Sequence, residues 1–538
     1  MIAGTAGIAA ILLGSTGLSP APAALAATAA SVHADTGTTH DPLTAGGSTW
    51  AEGAVDQWDR NVWANYQWLI NYSGTGSTQG RSQFCQGVYD FGVTDIPYGI
   101  ANSNEADSCT ARQYVYMPIT AGGTSIMYNL SIAGKRVTNL RLSGETFAKI
   151  FTGVITRWND PEIQAENPNL ALPAIPIVPV VRSDGSGATA QVTIWMRQMY
   201  PQIWDAYCAK VGRPDVNGDC GVTSFYPLLP GSAMISRAGD NSVAAYTAQP
   251  GNVGTITYVE YSYALSTGFP VAKLLNSAGY YTQPTAGHVA VSLLKAQINN
   301  DPNSQNYLTE DLSQVYTNPD PRTYELSSYS YIVMPTTLQS GFNVNKGLTL
   351  ADYGAYLLCE GQQIVDQLGY SALPINLVQA GQQQIQKIPG GNPTIKTIAQ
   401  CNNPTFSADG TNKLADDDPM PPACDKEGPV QCTTGTGGAA NTSTDVTKQS
   451  SGGPAGSGQG GADGTGSSGS GNGGAGVASG KLILAAATPQ SIPQPASIVL
   501  VILASLAGLA VLGFAIIPPV VRRRRRALPF GPPGPESR

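Results

Sequence analysis

Ile175-Pro176-Ile177-Val178-Pro179-Val180-Val181 runs directly into Arg182-Ser183-Asp184-Gly185-Ser186-Gly187-Ala188, and a helical pattern, Gly187–Met199, follows at once. A short β-branched apolar run, a Gly/Ser turn and a helix in immediate succession make a strand-to-helix junction, the repeating unit of α/β architecture. The same alternation recurs outward from it. Helical patterns are predicted at Ala51–Leu69 and Tyr353–Leu368, and a further strand at Tyr331–Met334. In open α/β sheets ligands gather beyond the carboxyl ends of strands, often at helix N-termini.

Three other segments put small or hydroxyl residues at similar junctions: Gly46-Gly47-Ser48-Thr49-Trp50, Gly74-Thr75-Gly76-Ser77-Thr78-Gln79-Gly80 and Asp90-Phe91-Gly92-Val93-Thr94-Asp95. Glycines let backbone N–H groups approach an anion, hydroxyls donate, and a helix N-terminus adds its dipole. Arg182 supplies one full positive charge. Taken singly, each segment is more often simply a helix cap, Asp95 a turn or cap residue, and Arg182 a solvated surface charge with Asp184 as its partner.

The chain has 538 residues, more than one compact core accommodates, so two or more domains are expected. Its formal net charge of -7 argues against a nucleic-acid partner, which needs a basic face. An anion ligand is still compatible, because neutral donors and helix termini hold buried anions. Only three histidines occur, His33, His40 and His288, which leaves little from which to build a Ser-His-Asp hydrolase or a histidine metal site. No metal and no cofactor is expected. The eight cysteines, Cys85, Cys109, Cys208, Cys220, Cys359, Cys401, Cys424 and Cys432, form no CxxC pair. An even number in an exported chain reads as disulfides, and pairing between neighbours is the simplest arrangement.

Residues 1–34 are rich in Ala, Gly and Ser with an apolar stretch Ile8–Leu13, and read as a leader, although no Lys or Arg precedes Arg60. Ile498–Ile517 is a run of 20 uncharged residues, and Arg522–Arg526 follow it. It is long enough for one transmembrane helix with a basic cytoplasmic tail at 518–538, which places the bulk of the chain on the extracellular face. Between core and membrane, residues 403–495, richest in Gly, Ser and Thr over Thr433–Gly480, read as a disordered tether.

In this order the four segments resemble the phosphate-binding receptors of phosphate ABC importers. Phe151-Thr152-Gly153-Val154-Ile155-Thr156-Arg157-Trp158-Asn159-Asp160-Pro161, Gly254-Thr255-Ile256-Thr257-Tyr258-Val259-Glu260-Tyr261 and Gly369-Tyr370-Ser371-Ala372-Leu373-Pro374 are similar to further segments of that family. The resemblance covers roughly residues 41–380 and implies a two-lobed type-2 periplasmic-binding-protein fold with hinge strands. Lobe one would be 41–128 with 332–402, and lobe two 129–331. It implies phosphate contacts from the Thr49 hydroxyl, the Trp50 amide and Ser77, a proton-accepting role for Asp95, and a phosphate pair for Arg182 held by Asp184. Ser186 and the amides of Gly187 and Ala188 would close the cradle. The implied partners are inorganic phosphate and importer permease subunits, and the implied state is a monomer that is not an enzyme. Ala188 stands where the family has Thr, Trp50 where it has Phe, and Thr78-Gln79 where Ser and Gly are common. A tethered phosphate sensor or scavenger without a transporter, a receptor for another oxyanion, and a phosphatase are the competing functions.

Overall fold

The computed structural model describes residues 39–214, 216–339 and 341–444. The expected leader, most of the tether, the apolar run Ile498–Ile517 and the arginine tail lie outside the described residues. No helix among the described residues is long and apolar enough to cross a membrane.

The first half-sheet is assembled from β1 (Leu43–Gly47), α1 (Glu52–Tyr66), β2 (Ile70–Gly74), α2 (Ser77–Cys85) and β3 (Phe91–Thr94). β1 lies between β2 and β3 in parallel, with Leu43 opposite Ile70 and Ala45 opposite Phe91. α1 buries Ala54, Val55, Trp58 and Val62. Their three- and four-residue spacing makes one apolar stripe, as an amphipathic helix on a sheet requires.

Next comes β4 (Tyr114–Asn129), 16 residues long and almost wholly buried. The second half-sheet uses β5 (Val178–Arg182), α3 (Gly187–Met199), β6 (Ile235–Arg237), α4 (Asp240–Thr247), β7 (Thr255–Glu260) and β8 (Val271–Leu275). The chain returns through β9 (Ser327–Pro335), after which α5 (Val344–Leu358) covers the first half-sheet. Strand order is β2-β1-β3-β9-β4-β7-β5-β6, with β8 also paired to β4.

β4 joins the two halves. Tyr114–Gly123 pairs antiparallel with β9, and Thr124–Asn129 pairs antiparallel with β7. β9 pairs with β3 on its other side. Two lobes therefore share two buried crossing strands. A register shift at Ser330/Tyr331 breaks the β9–β4 ladder. Such irregularities re-aim side chains, and this one sits where Ser330 reaches the interlobe site.

The elements depart from the sequence expectation in physically simple ways. β5 begins at Val178, not Ile175, because Ile175–Ile177 hydrogen-bonds instead to the Thr156–Trp158 segment. The helix expected at Tyr353–Leu368 starts earlier, at Val344, capped by the Asn343 side chain, and breaks at Cys359. That cysteine is bonded to Cys401. The remaining disulfides are Cys85–Cys109, Cys208–Cys220 and Cys424–Cys432, so the eight cysteines pair between neighbours.

The tether boundary needs correction. Residues 403–444 are not a free linker; they cross from the first lobe to the second. Asn403 Nδ2 and Thr405 Oγ1 donate to the Leu373 carbonyl at 3.1 and 2.6 Å. Lys273 Nζ meets Asp425 at 2.5 Å in a buried ion pair. Arg141 donates to the Gly428 and Val430 carbonyls. Thr436 Oγ1 accepts from Val271 N at 3.1 Å, and Thr444 Oγ1 from Thr138 N at 2.8 Å. Low apolar content suggested disorder, but this strap is held mainly by hydrogen bonds to its backbone carbonyls and by ion pairs, Lys273–Asp425 and His288–Asp418, with only a small apolar contact of Ala415 on Ala290 and Val291.

Candidate ligand site

Every sequence-predicted site residue sits at the carboxyl end of a parallel strand or the helix start behind it. Thr49 and Trp50 follow β1, Ser77 opens α2 behind β2, Asp95 follows β3, Arg182 ends β5, and Ser186 caps α3. Hydrophobic strands fix the backbone there, and the glycine turns bring the two lobes together. Gly187 is one position where bulk is excluded: a Cβ would collide with the Asp95 carboxylate and the Ser77 hydroxyl. Gly76, at φ 88°, is the other. A Cβ there would meet Asp184 Oδ2 at 2.6 Å.

Asp95 is buried and accepts three hydroxyls. Ser48 Oγ donates at 2.7 and 2.8 Å to its two oxygens, Ser330 Oγ at 2.8 Å to Oδ1, and Ser77 Oγ at 2.9 Å to Oδ2. Burial raises its pKa, the three serines oppose that, and nearby Asp240 adds to the rise. Ser48 also accepts from Ala51 N at 3.1 Å, in place of an N-cap side chain at α1.

Arg182 is buried, with its guanidinium between two carboxylates. Nε donates to Asp184 Oδ1 at 2.8 Å, Nη2 to Asp184 Oδ2, and Nη1 to Asp240 Oδ2. Burial alone would depress its pKa, but Asp240 and Asp184 outweigh that and raise it. Burial likewise opposes ionisation of Asp184, and the Arg182 contact wins, lowering its pKa. Asp184 also accepts from Gly239 N at 3.0 Å.

Thr49 Oγ1 donates to Asp240 Oδ2 at 2.6 Å and accepts from Asp240 N at 3.1 Å. Trp50 is buried, and its indole N–H donates to Thr124 Oγ1 on β4 at 3.1 Å. Ser186 Oγ accepts from Thr189 N at 3.2 Å. Gly187 and Ala188 form the first turn of α3, and both are buried. One face of this cradle therefore offers a carboxylate, and the other a guanidinium, a helix N-terminus and main-chain donors.

The lobes are closed on each other around it. Thr78 N donates to the Gly185 carbonyl at 3.1 Å, and Thr78 Oγ1 to Ser224 Oγ at 3.0 Å. Glu105 accepts from Thr223 Oγ1, Ser224 N and Ser224 Oγ at 2.6, 2.7 and 2.6 Å. Tyr263 Oη donates to the Thr49 carbonyl at 2.6 Å.

Sequence reading missed Ser48, Ser330, Asp240 and Glu105. Ser48 lies inside a quoted segment, one residue from Thr49. Asp240 carried a signal, a Gly-Asp-Asn helix start with Gly239 at φ 79°. Ser330 and Glu105 carried none, because only the register shift and the closed lobes place them. No cluster of metal-ligating residues occurs among the described residues.

Against known proteins, the model of the PBP superfamily domain matches residues 28–360. The phosphate-binding protein PstS of Methanocaldococcus jannaschii is 29% identical over 350 residues, covering 64% of this chain and 85% of that protein. Phosphate-binding protein PstS of Xylella fastidiosa (strain Temecula1) is 29% identical over 338 residues, covering 63% of this chain and 83% of that protein. Phosphate-binding protein PstS 2 of Mycobacterium tuberculosis is 28% identical over 342 residues, covering 62% and 83%. With more than half of its length matched by the family model, and with a two-lobed α/β fold closed over a polar cradle, the chain belongs to the PBP superfamily.

Proposed function

We propose that this protein captures inorganic phosphate between its two lobes, outside the cytoplasm, and delivers it to an ABC importer. The observation that carries the reading is the buried Asp95 carboxylate facing the α3 N-terminus across a cradle that also holds Arg182. A guanidinium, hydroxyls and helix amides call for an anion. A carboxylate accepts only, so it calls for an anion that still bears a proton. Phosphate near neutral pH satisfies both demands, and sulfate satisfies only the first. The relatives' names point the same way.

The paired cysteines suit an oxidising compartment. The uncharged run Ile498–Ile517 followed by Arg522–Arg526 supports a single membrane anchor with the C-terminus inside.

Titration calorimetry of the ectodomain with phosphate, sulfate and chloride tests the binding reading. Heat and a raised Tm with phosphate alone are expected, the stabilisation being about 2.7 kcal/mol at a hundredfold excess over Kd. An unchanged midpoint in millimolar phosphate would refute it. Protease added to intact cells should release the folded core; a protected core would refute the topology.

A further inference from the structure

The Thr49 hydroxyl has one proton to give and two lone pairs to offer. Its contact with Asp240 Oδ2 at 2.6 Å uses the proton, because that carboxylate, paired with the Arg182 guanidinium, accepts. The Asp240 backbone N–H, at 3.1 Å, takes one lone pair. What Thr49 has left to show the cradle is a single lone pair. Asp95, on the same lobe as Thr49, also shows the cradle an acceptor, on Oδ2, the oxygen next to Ser77 and Gly187. A ligand that satisfies both must donate twice.

The local charge points the same way. Among the described residues, Arg182 is the cation of the cradle; it is already paired with two carboxylates, Asp184 and Asp240, and a third, Asp95, lies close enough to Asp240 to feel its charge. A singly charged anion is therefore better tolerated than a doubly charged one.

We propose that Asp240, acting through Thr49, sets the cradle to take phosphate in its dihydrogen form, with one P–O–H donating to Asp95 and the other to Thr49 Oγ1. This rests on the phosphate-binding reading. Asp240 is a positioning residue in this scheme and Thr49 the contacting one. The charged and titratable groups around Asp240 are Arg182 and Asp184 after β5, Asp95 after β3, Glu52 on α1, Glu260 at the end of β7, and the phenols Tyr263 and Tyr370. Glu52 is the one that needs a control, because burial, Asp56 and Asp240 push its carboxyl up to about 7.

Phosphate loses its second proton near neutral pH, so the wild-type Kd is expected to weaken roughly thirtyfold between pH 6 and pH 8.5, in proportion to the dihydrogen fraction. Calorimetry with inorganic phosphate across that range reads it directly. In Asp240→Ala the Thr49 proton is freed, Thr49 becomes a donor, and the pH dependence should fall below about threefold. Thr49→Val removes the hydroxyl and should flatten the profile too, which keeps the test decisive if the alanine variant does not fold. Glu52→Gln should keep the wild-type slope. A flat wild-type profile, an unchanged slope in Asp240→Ala or Thr49→Val, or a slope abolished by Glu52→Gln each overturns the proposal. Absence of phosphate binding at every pH overturns the function reading itself and is thereby distinguishable from all of these.

Discussion

Asp95→Asn separates recognition of charge from recognition of the ligand's proton. In the wild type Oδ1 receives Ser48 and Ser330, and Oδ2 receives Ser77 with the second, 2.8 Å limb of Ser48. Asparagine fits this nest with its carbonyl at the Oδ1 position, where both serines still donate. Its NH₂ then faces Ser77, whose hydroxyl turns to accept. One hydrogen bond is inverted and a buried charge is removed, so the net change in stability should be within about 1.5 kcal/mol. The effect on ligands is much larger. A buried acceptor forced against a bare sulfate oxygen accounts for roughly 10⁴-fold rejection. An amide edge can donate to that oxygen, so the phosphate-to-sulfate ratio should collapse toward about tenfold or less. Arg182 and the α3 N-terminus are unaltered and do not discriminate; the Thr49 lone pair is unaltered too and keeps the residual preference. Calorimetry with both anions on wild type, Asp95→Asn and Ser77→Ala measures the ratio, the serine variant being expected to lose affinity for both ions alike. An Asp95→Asn protein that keeps the full wild-type ratio would show that selectivity lies elsewhere.

Glu105→Ala removes a carboxylate that accepts from Thr223 and Ser224 of the opposite lobe; phosphate affinity should drop about tenfold through loss of closure, with scattering profiles showing a more open apo form, and unchanged affinity would refute the latch. Asp425→Ala strands the buried Lys273 ammonium and should cost roughly 3–5 kcal/mol in thermal or urea unfolding, whereas Lys273→Met with Asp425→Leu should recover most of it. Glu325, buried beside the Trp195 indole, has its carboxyl raised by burial from 4.5 to about 8. The folded state therefore prefers the protonated form: its contribution is fully present below pH 4.5 and is lost as pH rises to about 8. Glu325→Gln should flatten that decline by a few kcal/mol across the window, and melts at pH 5 and 8 that fall equally in both proteins would contradict it.

The sequence by itself carried the local chemistry. Apolar runs ending in Gly/Ser turns marked strands with exposed carboxyl ends, and helix starts with small residues marked where anions are held. Thr49, Ser77, Asp95, Arg182 and Ser186 lie in segments marked that way, but their assignment to a phosphate site came from the family resemblance that the segments carry as a set. Neighbouring cysteines likewise pair over short loops. What needed the tertiary structure depends on partners far apart in the chain. Asp240 meets Thr49 only across the closed cleft, and Ser330 reaches Asp95 only because the β9 ladder slips by one step. The strap 403–444 looked like a tether because composition reports apolar burial and says nothing of carbonyls that distant Arg141 and Asn139 side chains satisfy. Composition and spacing determine which groups are available; whether a hydroxyl spends its proton on a ligand or on a neighbouring carboxylate is decided by what folding places within hydrogen-bond reach.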